Sequence, residues 1–337
     1  MLKFAINDLS LLFILSDSSS SFILLFAALV DYLIGDPKDW LHPVQVMGWL
    51  IQNYARLALK FCDPGGQRRL AGLLLGLLLI VGSGLCGWLI VLVGNMIHPL
   101  VGLMIQVILL ASCLALKSLR LAVQDVLEPL ERHDLSQTRS RLSMYVGRDT
   151  EQLSSAEILR ALLETVAENA VDGVTAPLFY AIVGSFTPIG AIPWALAYKA
   201  ASTLDSMVGY LQQPYRDLGW FSAQLEDRLT WIPCRLTVIT LGLFSGHPLR
   251  VWNICRRDGI KDPSPNSGWS EAAYAAILKV QLGSINTYKG EIKAKPLLGD
   301  AIETISVAKI NRALSLTRAC FLVWLAIAIF SHNLSFF

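Results

Sequence analysis

Charge is what this chain of 337 residues has least of: Asp, Glu, Lys and Arg make up 16%, against about a quarter in a typical soluble domain. The shortage is concentrated. No charged residue occurs between Arg69 and Lys117, nor between Asp172 and Lys199. Each gap exceeds the roughly 20 apolar residues that cross a bilayer. With 54% hydrophobic residues and a mean hydropathy of +0.51, an ordinary soluble domain is excluded and an integral membrane protein indicated. A net charge of +2 gives no basic field for nucleic acid. The cysteines, at 62, 86, 113, 234, 255 and 320, include no Cys-x-x-Cys pair. They read as buried free thiols, not as a disulfide framework or zinc site. Neither Gly-x-x-x-x-Gly-Lys-Ser/Thr nor Gly-x-Gly-x-x-Gly is present, so the familiar phosphate-cradling loops are excluded. No repeat of solenoid period is visible. The N-terminus carries Lys3 and an apolar run, but the serines around Asp17 interrupt it, so a cleavable signal peptide does not read clearly.

What is present centres on 154–210. Ser154 and Glu157 make a capping box, and good helix formers follow, so a helix starts here. Glu164 and Glu168 stand four apart on one face. Asp172 lies near the same line and Asn169 beside it. Like charges at this spacing destabilise a bare helix, so Mg²⁺, Lys or Arg must offset them. Such a pair is commonly just a solvated face. Here it runs straight into an apolar segment, where ionisable groups mark sites. That segment, 173–198, is broken by Pro188, Gly190 and Pro193 and reads as a kinked span or a re-entrant hairpin. Two arms of about 12 residues each reach only about 18 Å, half a bilayer. This predicts a broken pair of short helices that returns Lys199 and Asp205 to the side of Glu164 and Glu168.

Elsewhere, 22–34 reads as a first membrane helix, and Asp31, Asp36-Pro37 and His42-Pro43 as an ordered loop at the membrane surface. The clearest span is 70–97, where Gly72, Gly76, Gly82, Gly84 and Gly87 predict close helix packing; 99–116 returns. The hydrophilic 117–172 includes Gly147-Arg148-Asp149-Thr150, and Arg is shaped to grip phosphate or carboxylate. After polar 199–228, with Arg216 and Asp217, come a short apolar stretch at 236–249, a long hydrophilic region at 250–318 and a final span from 319. The class is all-α and polytopic, with about five or six apolar segments, one or two of them re-entrant in one arrangement, and large helical loops. The loops 35–69, 117–172 and 250–318 hold 23 of the 28 basic residues. They are therefore placed in the cytoplasm, with Lys3 outside. Polar regions of this size favour a catalytic surface over a compact transporter. A transporter and a non-catalytic scaffold stay open on the residues alone.

Several blocks recur in order: Asp31…Gly35-Asp36-Pro37…His42-Pro43-Val44; Val146-Gly-Arg-Asp-Thr150; Glu164-Thr-Val-Ala-Glu-Asn169…Asp172-Gly173; Tyr198-Lys-Ala…Thr203-Leu-Asp-Ser; Tyr215-Arg-Asp217; and Ser264-Pro-Asn266…Trp269…Glu271-Ala. Together they resemble the membrane-bound adenosylcobinamide-phosphate synthases of cobalamin biosynthesis, the CobD/CbiB family, over 27–312. On that resemblance the chain is one membrane-embedded domain, with a variable N-terminus at 1–26 and a C-terminal membrane helix at 313–337. Ser202 stands where the family commonly shows Asn, and Ser284 where a Gly commonly follows Gly283. The resemblance implies ATP-dependent amide ligation of adenosylcobyric acid with aminopropanol phosphate or a related amino alcohol, with Mg²⁺. The corrinoid is a substrate, not a cofactor. It implies catalytic roles for Glu164, Glu168, Asp172, Lys199 and Asp205, the first three also holding Mg²⁺. Substrate binding falls to Asp36, His42, Arg148, Asp149, Asn169, Arg216, Asp217, Asn266 and Glu271. The expected partners are the lipid bilayer, the two substrates, and a second copy or other enzymes of the pathway. The expected location is the cell membrane, with the site facing the cytoplasm.

Overall fold

A computed structural model describes residues 20–36, 42–210 and 212–334, and these are helical apart from one two-stranded sheet. The readings made on Lys3 and the N-terminal serines fall outside the described residues. Among the described residues, three helical stretches are long and apolar enough to cross a membrane: Gly66–Ile97, Pro99–Glu131, which breaks at 112–115, and Val307–Leu334. Ser20–Leu33 (α1) is a shorter apolar helix. The all-α membrane class therefore holds. The chain divides into two compact units: Met1–Ala115 with Pro177–Arg228 and Leu322–Phe337, and Leu116–Ala176 with Leu229–Phe321.

The first unit is built on α2 (Pro43–Phe61), α3 (Gly66–Ile97) and α4 (Pro99–Ala111). α3 turns Leu78, Val81, Met96 and Ile97 outward, as a bilayer-facing helix should, and lines its inner side with glycine. A Cβ on Gly72 would lie 1.9 Å from the Leu218 carbonyl oxygen, and one on Gly87 2.4 Å from a Leu196 methyl. The expected close packing is thus real at Gly72, Gly76, Gly84 and Gly87, while Gly82 faces open space. The segment 173–198 forms the expected broken pair. α8 (Ala176–Ser185) and α9 (Ala191–Val208) fold back on each other through 186–190. Tyr180 stacks on Tyr198 at 4.9 Å, and Gly190 makes the turn at φ 80°. α9 runs further than the sequence suggested, with Lys199 and Asp205 well inside it.

The second unit comprises α5 (Leu116–Glu131), α6 (Leu135–Leu142), α7 (Ser155–Asn169), most of α10 (Trp220–Phe244), α11 (Pro248–Asp258), α12 (Pro265–Leu278), strands β1 (Leu282–Tyr288) and β2 (Glu291–Leu298), and the first half of α13 (Val307–Leu334). The predicted capping box starts α7: Ser154 N donates to Glu157 at 2.7 Å and Glu157 N to the Ser154 hydroxyl at 3.4 Å. Ile158, Ala161, Leu162, Val166 and Ala167 bury its apolar face. At Asn169 it widens into one turn of π-helix, Ala170–Thr175, a feature frequent at functional sites. α12 is almost wholly buried, its polar Asn266, Ser270 and Glu271 included. The antiparallel hairpin β1–β2 corrects the expectation of purely helical structure in 250–318. Lys289 and Gly290, at φ 51° and 80°, make the two-residue turn that such a hairpin needs. α13 also begins earlier than expected, because Lys309, Arg312 and Arg318 hide its first turns from a hydropathy reading.

Candidate functional site

The Gly-Arg-Asp-Thr block proves to be a clasp for the hairpin. The Asp149 carboxylate accepts the turn's backbone N–H groups, from Lys289 at 2.9 Å and Gly290 at 2.8 Å, while Asp149 N donates to Thr287 O at 2.8 Å. Arg148 donates to Asn286 Oδ1 at 3.0 Å and to Glu164 Oε2. The other Glu164 oxygen accepts the Gly283 N–H at 2.9 Å. Glu164 is only 2% exposed. Both its oxygens are thus committed, one to a guanidinium and one to the start of β1. Arg160, one turn earlier on α7, donates to Gly283 O and, at 3.1 Å, to Asn286 Oδ1. Buried carboxylates survive when paired and hydrogen-bonded in this way. The bulge between Leu282 and Ser284 puts Ser284 at φ 96°, a backbone region that suits glycine.

A second group of charges lies beside the clasp, in the same unit. Ser270 Oγ on α12 donates to Ala167 O on α7, so the next residues, Glu271 and Glu168, flank the helix crossing. Glu271 is fully buried. Its Oε1 accepts from Ser267 Oγ at 3.0 Å and Lys295 Nζ at 3.2 Å, and its Oε2 has no partner. Burial pushes its pKa up to about 8, with Lys295 working against the rise and Glu164, Glu168 and Asp262 adding to it. Glu168 is solvent-accessible and makes no hydrogen bond among the described residues. Its pKa is nevertheless raised, first by desolvation and then by Asp262 and Glu164, with Lys295 and Arg148 working against the rise. Burial would lower the pKa of Lys295, but Glu271, Glu168, Glu164 and Asp262 hold it above its ordinary value. Asp262 accepts from Ser264 N at 3.0 Å through Oδ1, and its buried Oδ2 has no partner. Asn266 is buried, with its side-chain oxygen on Arg235, which stacks over Trp269 at 4.6 Å.

Asn169 is exposed and donates to Thr165 O at 2.9 Å, and Asp172 is half-buried on the π turn. The three carboxylates expected to hold Mg²⁺ do not form a ready cage. Glu164 is committed elsewhere, and no three His, Cys, Asp or Glu side chains among the described residues converge closely enough to hold an ion. The other expected residues belong to the first unit. His42 caps α2 through Nδ1 and meets Asp36 at 3.1 Å through Nε2. Asp217 accepts from Gly65 N at 3.0 Å and Arg69 at 3.3 Å, fixing the start of α3, while Arg216 is exposed. Lys199 is half-buried on α9, and Asp205 lies close under Gly209. Sequence reasoning missed Lys295, Asp262, Asn286 and Arg160. The alternating run from Ser284 to Lys295 around Lys289-Gly290 was the available signal for the first and third.

The chain matches the family model described as CobD/Cbib protein over residues 24–317. It is 55% identical over 297 residues to "Cobalamin biosynthesis protein CobD" of Synechocystis sp., covering 88% of this chain and 87% of that protein. It is 41% identical over 294 residues to "Cobalamin biosynthesis protein CbiB" of Salmonella typhimurium, covering 86% and 90%. No solved structure matches the chain. With its ordered sequence blocks, its apolar spans and nearly its whole length matched, the chain belongs to the CobD/CbiB family.

Proposed function

We propose that this protein works in cobalamin biosynthesis as an amide-forming ligase, joining adenosylcobyric acid to aminopropanol phosphate or a related amino-alcohol phosphate at the expense of ATP. The observation that carries the reading is the family membership over 24–317. The second unit supports it, since there the Lys295 ammonium meets the buried Glu271 carboxylate at 3.2 Å, and the accessible Glu168 lies on the neighbouring helix. In the net reaction one oxygen of the corrinoid carboxylate leaves with phosphate, a C–N bond forms, and the ammonium gives up two protons. Proton acceptors must therefore stand beside the amine, and carboxylates whose pKa values lie near neutrality do this well. Glu271, raised to about 8, is our candidate, and the pKa of Glu168 is shifted in the same direction. Arg148 and Glu164 act by holding β1 and β2, and hence Lys295, in place. We place the chain in the cell membrane, with its basic loops and the site on the cytoplasmic side. The test is incubation of detergent-purified protein with adenosylcobyric acid, the amine phosphate, ATP and Mg²⁺. Mass spectrometry should detect the amide only when ATP is present, and no amide under any condition would overturn the reading.

A further inference from the structure

We propose that Arg160 and Asn286, with Lys293 beside them, form a seat for the phosphate group of a substrate. That this phosphate belongs to the amine or to ATP rests on the ligation reading above; the seat itself rests on contacts within the second unit.

The two central side chains touch. Arg160 Nη2 donates to Asn286 Oδ1 at 3.1 Å, and Arg148 Nη1 donates to the same oxygen at 3.0 Å. Turned the other way, the amide would set its NH₂ against two guanidinium groups, so its orientation is fixed. Each of the two nevertheless leaves a donor unused. Asn286 Nδ2 and Arg160 Nε are buried without a hydrogen-bond partner, and Asn286 as a whole is only 4% exposed. Buried donors are normally satisfied, and two exceptions on side chains in contact mark a missing acceptor. Each open nitrogen lies only two covalent bonds from the atoms that touch, so one group bearing several oxygens reaches both.

The charge left over is positive. Arg148 is paired with Glu164, and Lys295 with Glu271 at 3.2 Å. Arg160 bonds only to neutral acceptors, Gly283 O, Ile285 O and Asn286 Oδ1. Glu157, one turn earlier on α7, is turned to the Ser154 cap. Lys293 stands directly opposite Asn286 in the β1–β2 register, so the two share a face of the hairpin. Its ammonium lies 5.4 Å from the centre of the Tyr288 ring and makes no ion pair among the described residues. A phosphate monoester carries about −1.5 to −2 charges at pH 7 and three acceptor oxygens. That matches two uncompensated cations and two open N–H groups. A water would fill the hydrogen bonds but not the charge, and a carboxylate would supply half of it. Arg160, Ser284 and Lys293 are half-buried, so a ligand has only side chains to turn aside on its way in.

Asn286→Asp separates a seat from a strut. It keeps the oxygen that Arg148 and Arg160 hold and gives both an opposite charge, so the hairpin stays clasped. It also puts an anionic oxygen where the open donor was. The detergent-purified full chain is titrated calorimetrically with O-phosphoethanolamine and, separately, with a non-hydrolysable ATP analogue. Asn286→Asp should weaken at least one probe by about 10-fold or more, the scale of one hydrogen bond to a charged group, with a melting temperature no lower than that of the wild type. Lys293→Gln should weaken the same probe. Lys293 makes no hydrogen bond among the described residues, so its variant folds and reads the seat even if Asn286→Asp does not. Loss for O-phosphoethanolamine alone assigns the seat to the amine's phosphate, and loss for the ATP analogue alone to the nucleotide's. Unchanged affinity for both probes in either variant would overturn the seat and leave the open donors to a buried water. If the variants weaken binding but the wild type forms no amide, the seat stands and the ligation reading falls. If Asn286→Asp forms amide with an unaltered KM for both the amine phosphate and ATP, the seat falls and the ligation stands.

Discussion

Replacing Glu164 by Gln separates a scaffold role from a ligand role. The side chain is 2% exposed and serves two donors at once, the Arg148 guanidinium and the Gly283 N–H at 2.9 Å. Glutamine keeps the shape but has one acceptor oxygen. Whichever donor takes it, the other meets an NH₂, and Arg148, itself 9% exposed, keeps a buried charge without its counter-ion. Removing one partner of a buried pair costs about 3–5 kcal/mol. At about 1.4 kcal/mol per tenfold change, opening of β1–β2 should become more frequent by a factor on the order of 100 to 4,000. Hydrogen exchange read by mass spectrometry on peptides from 282–298 should show this acceleration. Glu168→Gln should disturb the same peptides far less, because its carboxylate acts on the hairpin only through the charge of Lys295. Unaltered exchange in Glu164→Gln would refute the clasp and return Glu164 to the list of ligand-binding groups.

Gly72→Ala should lower thermal stability by about 1–3 kcal/mol, as overpacking does, because its Cβ would strike the Leu218 carbonyl; Gly82→Ala, facing open space, should raise it or leave it unchanged. Thermal melts in one detergent compare the two. Ser284→Gly should stabilise the protein by about 1 kcal/mol by relieving the backbone at φ 96°; a loss of stability would contradict that account. Glu271 binds its proton more tightly folded than unfolded, so its contribution to stability is full below pH about 4.5 and is lost as pH rises towards about 8. Melting temperature against pH should carry this downward slope in the wild type and lose it in Glu271→Gln.

The parts of the molecule written in local sequence were legible. The Ser154–Glu157 box is a contact three residues apart, and it marked the start of α7 correctly. The glycines of α3 announced a close helix contact because only they leave room for one. Pro188, Gly190 and Pro193 announced the fold-back of α8 on α9, since they interrupt an apolar run too short in each arm to cross. The clasp was not legible, because Arg148, Glu164 and Gly283 meet only through tertiary structure. Arg148 looked like a phosphate grip for the same reason: a guanidinium suits any carboxylate or phosphate, and the sequence does not say which one comes near. The hairpin was hidden by the bulge at Gly283-Ser284 and by Pro296, which break the alternation of β1 and β2 at their far ends. Lys295 went unseen with it, although it is the cation paired with the buried Glu271.

The central claim is that this chain drives amide formation with ATP, and tracing oxygen tests it most directly. Purified protein is given adenosylcobyric acid labelled with ¹⁸O in its free carboxylate, an amino-alcohol phosphate, ATP and Mg²⁺, and the products are weighed by mass spectrometry. The account predicts adenosylcobinamide phosphate that has lost one ¹⁸O, and that atom in the phosphate or nucleotide released from ATP. It also predicts at least about a 100-fold lower rate for Glu168→Gln, the usual cost of losing a charged partner of the transition state. Amide formed without ATP, label released to water instead of phosphate, or undiminished turnover in Glu168→Gln would contradict it.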